Sequence, residues 1–223
     1  MLKNLYNFAS ERKLKMKEGS KKLDATTEEK IKSAARIVFY KKGFAATRTR
    51  DIAEEAGINL ALLNYYFRSK AKLFELIMIE TMSGFFRNLM IVLNDEKTSL
   101  EEKVEDAVAR YIDLIIKEPE IPTFIISELR NNPNLLLQKI PLKEVIKTSV
   151  FLKQHQEAVK KGQILEPNPL HFLINMLGLT VFPFIAKPML MGSSDLSDKE
   201  FESLMQERKK LIPVWIKAIM SAG

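Results

Sequence analysis

The stretch from Thr49 to Lys70 carries the side chains with the clearest chemical potential in this sequence. Arg50 and Lys70 are long cations that can bind phosphate oxygens. Asn64 combines a donor with an acceptor, which suits hydrogen bonding to an adenine edge or a phosphate. The apolar residues Leu60 to Leu62 suit contact with thymine methyl groups. These residue types indicate recognition of a nucleic acid rather than catalysis.

Two short helices separated by a glycine would position these side chains. Thr49 can cap the first helix, with Asp51 favourable near its positive end, and Gly57 can adopt the left-handed conformation that ends it. Asn59 can then cap a second helix that runs to about Phe67. This is the helix-turn-helix arrangement, in which the second helix enters the DNA major groove. An ordinary helical hairpin would give the same local pattern, so the flanking residues matter.

The net charge of the chain, +7, is concentrated towards its N-terminal end. Residues 1–70 hold 16 Lys and Arg against 8 Asp and Glu, whereas residues 71–223 hold 19 against 20. Half of the N-terminal excess lies in residues 26–70, as neutralisation of DNA phosphates would require. Residues 1–25 form a basic extension, either a leader without a fixed role or an arm that reaches the DNA backbone or minor groove.

Three motifs in order along the chain carry a more specific likeness. The first is a helix from Ile31 that ends in Gly43-Phe44, the second is Thr49-Arg50-x-Ile52-Ala53-x-x-Ala56-Gly57-Ile58, and the third is Leu63-x-Tyr65-Tyr66-Phe67-x-Ser69-Lys70. Together they resemble the DNA-binding domain of the TetR family of one-component transcriptional repressors. The chain departs from that family at the start of the recognition helix. There the family often has a small or basic polar pair and a glycine, and this chain has Leu60 and Ala61.

The resemblance implies an all-α fold, with an N-terminal three-helix helix-turn-helix domain and a C-terminal helical bundle for ligand binding and dimerisation. We therefore expect a basic extension over residues 1–25, a DNA-binding domain over residues 26–70 and a regulatory domain over residues 71–223. The implied partners are a double-stranded DNA operator, a second copy of the chain and an apolar small-molecule effector. The expected DNA-binding residues are Thr49, Arg50, Asn59, Leu60, Ala61, Leu62, Asn64, Tyr65, Tyr66 and Lys70.

Capping residues and prolines mark the helices of the second half. A capping box at Ser99 and Glu102 predicts a helix to about Lys117. A long helix is expected to end at Gly162, with a break near Pro141. The other expected elements are a connector helix from Lys70 to Leu93, a helix through Arg130, an apolar helix from Leu170 bent at Pro183 or Pro188, a loop from Gly192 to Ser197, and a last helix kinked at Pro213.

The C-terminal helices carry more apolar surface than one helical layer can bury. The helix after Leu170 is apolar around its circumference, so it must be central or meet a partner, and the resemblance implies a four-helix dimer interface. The expected interface residues are Leu173, Leu177, Phe182, Leu211 and Trp215. Met-rich cores adapt, and bundle helices often enclose ligands. The expected effector-binding residues are Phe85, Met90, Tyr111, Phe124, Phe151, His155 and Met176, for most of which an ordinary core is the alternative.

The sequence contains no pattern of residues that is typical of an enzyme active site. It has no cysteine, and its two histidines lie in different expected helices without a carboxylate pattern for a metal, so we predict no catalytic residue, metal or cofactor. The N-terminus lacks a signal peptide, and the longest apolar run, residues 172–186, is shorter than the ~20 residues of a membrane span. We predict a cytoplasmic, dimeric repressor that an apolar small molecule releases from its operator, without a membrane partner. A small-molecule carrier or enzyme that retains a helix-turn-helix, and a protein–protein adaptor, remain as alternatives.

Overall fold

The structure of the protein, a computed structural model, describes residues 26–131 and 146–221. The basic extension and the segment around Pro141, where we expected a helix break, lie outside the described residues. The described chain is helical and contains no strand, which confirms the predicted all-α class. It divides into two compact units, residues 26–78 and residues 79 onward, and the division falls inside one long helix.

The first unit contains three helices and the start of a fourth: α1 over residues 26–46, α2 over Thr49–Glu55, α3 over Leu60–Tyr66, and α4 over Lys70–Leu93 up to residue 78. Its core is built on an apolar stripe of α1, in which Ile31 and Phe39 are fully buried. The Phe74 ring of α4 lies 4.9 Å from the rings of both Phe39 and Phe44. The start of α4 is therefore part of this core.

The second unit is arranged around α5. It contains the rest of α4, α5 over Leu100–Lys117, α6 over Ile121–Asn131, α7 over Val150–Lys160, α8 over Pro169–Ile185, α9 over Lys187–Ser194 and α10 over Asp198–Ser221. Helices α7, α8 and α10 each pack on α5. The apolar face of α5 is buried and includes Val104, Val108, Tyr111, Ile112 and Ile115.

Helix ends follow the predicted caps. The Ser99 hydroxyl accepts from the Glu102 amide at 3.2 Å, and the Glu102 carboxylate accepts from the Ser99 amide at 2.7 Å. These hydrogen bonds, first the one from the Ser99 amide, lower the pKa of Glu102. Gly162 ends α7 with φ of 69°, and a capping box between Ser197 and Glu200 opens α10.

Three expectations for this unit need correction. The helix that ends at Gly162 begins at Val150, because Ser149 caps a new helix there by accepting from the Leu152 amide at 3.2 Å. The expected bend after α8 lies at Ala186, where α8 and α9 meet at 63°. Pro183 stays inside α8, and Pro188 stands in the first turn of α9, where its missing N–H leaves no helical bond unmade. The expected loop from Gly192 is shorter, because α9 continues to Ser194.

The turn from α4 to α5 is closed by a buried lysine. Lys103 is 1% exposed, and its ammonium donates to the carbonyl oxygens of Asp95 at 2.5 Å and Thr98 at 2.7 Å. The Thr98 hydroxyl accepts a third hydrogen bond at 2.8 Å. Three acceptors match the three donors of the ammonium group, so burial lowers the pKa of Lys103 without leaving a donor unpaired.

By length and composition alone, helix α4 is long and apolar enough to cross a membrane, which we did not predict from the sequence. Helices α8 and α9 meet the same criteria when they are taken together as one bent span. Within the described residues, 44% of the apolar window of α4 is buried. A core helix meets these criteria equally well, since a buried helix is also apolar on most of its surface.

Candidate nucleic-acid interface

Helix α2 is started by a carboxylate rather than by the predicted threonine cap. Arg48 occupies the cap position, and the Asp51 carboxylate accepts from the Arg48 amide at 2.9 Å, while Thr49 is the first helical residue. Our assignment of Thr49 as the cap was wrong by one residue. The hydrogen bond from the Arg48 amide, followed by the ammonium of Lys42 at 3.1 Å, lowers the pKa of Asp51.

The glycine turn between α2 and α3 is closed by two backbone hydrogen bonds. Gly57 has φ of 60°, and its amide donates to the Glu54 carbonyl at 3.0 Å, while the Ile58 amide donates to the Ala53 carbonyl at 3.0 Å. This pair of bonds is the Schellman motif, for which a glycine is favoured because it has no Cβ to strain. The Asn59 side chain then accepts from the Leu62 amide at 2.8 Å and caps α3. The predicted turn is confirmed.

Helix α3 has one anchored side and one solvent-facing side. Leu63 is 1% exposed and holds the helix against the unit. At 100° per residue, Ala61 and Tyr65 point away from Leu63, with Leu62 and Asn64 on their flanks. All four are exposed, and Tyr65 retains 75% of its accessible surface. Leu60 and Tyr66 are half-buried, so four of the predicted contact residues form one free surface and these two lie at its edge.

Positively charged residues both precede and follow α3 in the sequence. Arg50 is exposed on α2, and Arg68 and Lys72 are exposed just after α3. Within the described residues, the side chains of these three form no hydrogen bond or ion pair. Arg50 was predicted, whereas Arg68 and Lys72 were missed, although their position next to the Ser69 cap of α4 could have indicated them. The surface thus combines a neutral centre with free positive charge nearby.

Lys70 has a second role that the sequence did not indicate. Its ammonium donates to the carbonyl oxygens of Phe44 at 2.9 Å and Thr47 at 2.8 Å. Thr47 is itself 1% exposed, and its hydroxyl donates to the Gly43 carbonyl at 2.7 Å. Thr47 was not predicted as a buried residue, because a threonine after a helix end has no sequence pattern that marks it as buried. Two of the three ammonium donors of Lys70 are therefore used inside the first unit.

The residues predicted to bind an effector belong to the packed interior of the second unit. Phe85 and Tyr111 have ring centres 4.4 Å apart, and the Tyr111 hydroxyl donates to the Phe85 carbonyl at 3.1 Å. Burial raises the pKa of Tyr111. Phe151 and His155 lie in a second group, while Phe124 and Met176 are buried and Met90 is half-buried. The structure thus separates these residues into at least two groups, and their role in binding stays a prediction.

A large open cleft lies elsewhere in the second unit. It has a volume of about 1090 Å³ and is bounded by α5, α7 and α10. Its lining mixes apolar residues such as Val104, Ile164 and Met220 with charged ones such as Lys161 and Glu157. None of the predicted effector-binding residues lines it. A much smaller cavity, about 20 Å³, lies beside His155 and shares Ile216 and Met220 with the cleft.

The predicted dimer-interface residues are mostly exposed on α8 and α10. Phe182 is 58% exposed, and Leu177, Leu211 and Trp215 are also exposed. Leu173 is buried within the chain itself, so it supports this surface from beneath. Arg208 connects the two helices, because its guanidinium donates to the Leu179 carbonyl at 2.8 Å and lies 5.1 Å from the Trp215 ring.

Comparisons with known proteins agree with this arrangement. Residues 31–77 match the family model for bacterial regulatory proteins of the tetR family. The chain is 22% identical over 204 residues to the "Probable HTH-type transcriptional regulator YttP" of Bacillus subtilis, with 90% of this chain and 97% of that protein covered. It is 31% identical over 102 residues to the HTH-type transcriptional repressor NicS of Pseudomonas putida, which covers 46% of this chain and 48% of that protein. The structure of GusR from Salmonella enterica shares the fold, with a TM-score of 0.60, 18% identity and coverage of 88% of this chain and 96% of that one.

A helix-turn-helix with an exposed recognition surface, together with the similarity to HTH-type transcriptional regulators, defines a DNA-binding transcriptional regulator. Among the described residues, no group of three or more His, Asp or Glu could hold a metal ion. The chain is therefore similar to bacterial regulatory proteins of the tetR family over residues 31–77, and to a probable HTH-type transcriptional regulator over most of its length.

Proposed function

We propose that this regulator is a cytoplasmic homodimeric repressor, which holds a double-stranded DNA operator through α3 and releases it when an apolar small molecule binds the second unit. The free surface of α3 carries the proposal. Ala61, Leu62, Asn64 and Tyr65 are exposed together on the side opposite the buried Leu63. The repressor role is supported by the similarity to NicS, which is named a transcriptional repressor.

The proposed DNA contacts follow from exposure and charge. Arg50 is free to bind a phosphate or the edge of a base beside it, and Thr49 adds a hydroxyl at the start of the same helix. Asn59 uses its side-chain oxygen to cap α3, which leaves its amide group as a donor near the turn. At the far end of α3, the Tyr65 and Tyr66 rings pack edge to face at 5.3 Å. This contact would restrict the position of the exposed Tyr65 ring, whose hydroxyl can donate to a phosphate oxygen.

Dimerisation would cover the apolar surface of α8 and α10. Leu177, Phe182, Leu211 and Trp215 are large apolar side chains that water contacts in the single chain. Burying apolar surface contributes roughly 25 cal/mol per Å², so a contiguous patch of this kind favours association. A two-fold dimer would present two copies of α3 to one DNA duplex, with their centres about one turn (~34 Å) or a multiple of it apart.

The effector would bind in the cleft between α5, α7 and α10. Its volume, about 1090 Å³, is close to the upper end of the roughly 300–1,000 Å³ of small-molecule sites. Val104, Ile164 and Met220 offer an apolar surface for the body of such a molecule. Because Ile216 and Met220 also border the small cavity beside His155, a ligand that displaces them would reach the predicted group around His155 and Phe151.

A footprint on the DNA next to the chain's own gene tests the proposal. We expect two protected half-sites in successive major grooves, together with a dimer mass in analytical ultracentrifugation. Tyr65→Ala should abolish the footprint without unfolding the chain, since Tyr65 is 75% exposed. Phe182→Glu should convert the dimer to a monomer, whereas Ile126→Glu, an exposed apolar position on α6, should not. Protection without sequence selectivity, or a Phe182→Glu dimer, would contradict the proposal.

A further inference from the structure

The surface that α3 offers to the major groove is unusual in its chemistry, because it contains no charged side chain. Helix α3 consists of Leu60-Ala-Leu-Leu-Asn-Tyr-Tyr66. Guanine is most often read by Arg or Lys, which donate to its O6 and N7 atoms, and cytosine is read by Asp or Glu, which accept from its amino group. Helix α3 has neither kind of residue, so it lacks the side chains that make the strongest contacts with a G·C pair.

The apolar side chains on this surface are exposed without a partner in the described chain. Leu62 retains 36% of its accessible surface and Ala61 is also exposed, while the next residue, Leu63, supplies the anchor of the helix. The occupant of this surface is DNA, because α3 is the recognition helix of a helix-turn-helix and Arg50, Arg68 and Lys72 supply free cations beside it in the sequence. In the major groove, the thymine methyl is the apolar group that a base pair presents.

We propose that this regulator reads A·T pairs at the centre of each operator half-site, through thymine methyl groups packed on Ala61 and Leu62 and an adenine edge bound by Asn64. Asn64 is exposed beside them, and its side-chain amide can both donate to N7 and accept from N6 of adenine. The Asn59 oxygen is already engaged by the Leu62 amide at 2.8 Å, so Asn64 is the amide with both functions available on α3.

A G·C pair in the same place would be disfavoured by desolvation. Packing Leu62 over it would remove water from the cytosine amino group or the guanine acceptors without supplying a protein partner. An unmade hydrogen bond of that kind weakens binding by roughly tenfold or more. Selectivity for A·T pairs therefore comes as much from exclusion as from attraction. The inference rests on DNA binding by α3 and is independent of the proposed effector and of repression.

Selection of binding sites from random duplexes by the full chain gives the first test. The expected outcome is A·T pairs at the central positions of each half-site. The second test replaces each central thymine by uracil, which removes the methyl and keeps every hydrogen-bonding group. Each buried methyl that is removed should weaken binding about fourfold, which corresponds to about 0.8 kcal/mol.

Variants assign the effect to residues. Leu62→Ala should bind the thymine operator more weakly and should lose most of the response to uracil, whereas Asn64→Ala should keep the uracil response and lose preference at the adenine position. Both variants keep the charge of the chain, so their binding to unrelated duplex DNA should be unchanged. Selected sites with G·C pairs at the centre, or equal wild-type affinity for the thymine and uracil operators, would overturn the inference. A chain that binds no duplex selectively would instead contradict operator binding itself.

Discussion

Lys70 and Phe44 form a double contact inside the first unit. The Lys70 ammonium donates to the Phe44 carbonyl at 2.9 Å and lies 4.3 Å from the centre of the Phe44 ring. A further hydrogen bond of 2.8 Å reaches the Thr47 carbonyl. The first residue of α4 thus satisfies carbonyl groups around the end of α1 and orders the chain that leads into α2. Lys70, which we predicted to bind a DNA phosphate, therefore also stabilises the unit that carries α3.

Lys70→Met should therefore weaken both the fold of the first unit and DNA binding. Hydrogen bonds to a charged group contribute roughly 1.5–3 kcal/mol each, and partial exposure of Lys70 reduces this, so we expect a loss of about 1–3 kcal/mol. Amide hydrogen exchange of residues 44–60 measures the loss. Lys72→Met is the matched control, because it removes the same charge from an exposed side chain without a partner among the described residues. Equal amide hydrogen-exchange rates in Lys70→Met and Lys72→Met would show that the Lys70 contacts do not stabilise the first unit.

Arg50 should act on the DNA backbone more than on a base. It is exposed on α2 and free of partners among the described residues, while the central bases are assigned to α3. Each phosphate that a protein neutralises contributes about −0.9 to the slope of log K against log salt concentration. Arg50→Ala should make this slope shallower by about 0.9 per subunit and should weaken all operator variants alike. A loss confined to one position of the half-site would show that Arg50 reads a base, at about 1–3 kcal/mol.

The buried Lys103 makes a prediction for the second unit. Lys103→Met keeps the apolar stem but removes the ammonium donor from the Asp95 and Thr98 carbonyls. The Thr98 carbonyl still accepts from the Gln154 side-chain amide at 2.8 Å and the Asp95 carbonyl from the Thr98 hydroxyl at 3.3 Å, so we expect a cost of about 1.5–3 kcal/mol. Trp215 is the only tryptophan of the chain and lies in the same unit, so its fluorescence in urea follows the unfolding. Ser99→Ala, which removes only the neighbouring cap, should cost about 1 kcal/mol. If Lys103→Met and Ser99→Ala unfolded at the same urea concentration, the Lys103 hydrogen bonds would contribute no more than the cap.

Much of this fold could be predicted because short sequence patterns determine where its helices begin and end. Asn59 and Ser99 cap the helices that we assigned to them, and Gly57 and Gly162 take the left-handed conformation. Each of these features depends on a few neighbouring residues. The exposure of Ala61, Leu62, Asn64 and Tyr65 agrees with the contacts predicted for α3, whereas Leu60 and Tyr66 are half-buried.

The errors arose where distant residues decide the outcome. The burial of Lys103 and the engagement of Lys70 depend on carbonyl groups of loops, which every residue type possesses. The cleft between α5, α7 and α10 depends on how three helices splay, and no residue on its lining differs in type from an ordinary surface or core residue. The aromatic residues that we assigned to an effector lie in packed groups, and their role in effector binding stays a prediction.

The histidine buried in α7 should make the second unit sensitive to acid. His155 is 1% exposed and its Nδ1 atom has no hydrogen-bond partner within the described chain. Burial lowers the pKa of His155, and Glu166, which lines the same small cavity, opposes this shift. The unfolded chain then binds the proton more tightly than the folded one. Stability should be complete above the unfolded pKa of about 6.5 and should fall as the pH decreases below it, by at most about 1.4 kcal/mol per pH unit.

Urea unfolding followed by Trp215 fluorescence between pH 7.5 and pH 5 measures this loss. His155→Leu should remove the part of the pH dependence that arises from His155. His171→Leu is the control, because His171 borders the same small cavity but is exposed. A pH dependence that survives in His155→Leu and disappears in His171→Leu would show that the wrong imidazole had been assigned.

The last prediction concerns the reciprocal effect of effector and operator. Helix α4 is continuous from the first unit into the second, with residues 70–78 in one and residues 79–93 in the other. A molecule that packs in the second unit and shifts α4 would therefore act on the element that supports α3. Coupling of this kind is typically about 1–3 kcal/mol, or roughly 5–150-fold in affinity, and linkage requires both partners to feel the same factor.

Titration of a candidate effector against the free protein and against the operator complex measures both sides of this coupling. If the effector weakens operator binding by some factor, it must bind the operator complex more weakly by that same factor. Ala109→Trp, which fills the proposed cleft from α5, should abolish effector binding and leave operator binding intact. Gln156→Trp introduces the same side chain at an exposed position of α7 outside the cleft lining and should change neither. Equal effector affinities for free and operator-bound protein would exclude this switch for that compound, and an Ala109→Trp chain that still responds would place its site outside the cleft.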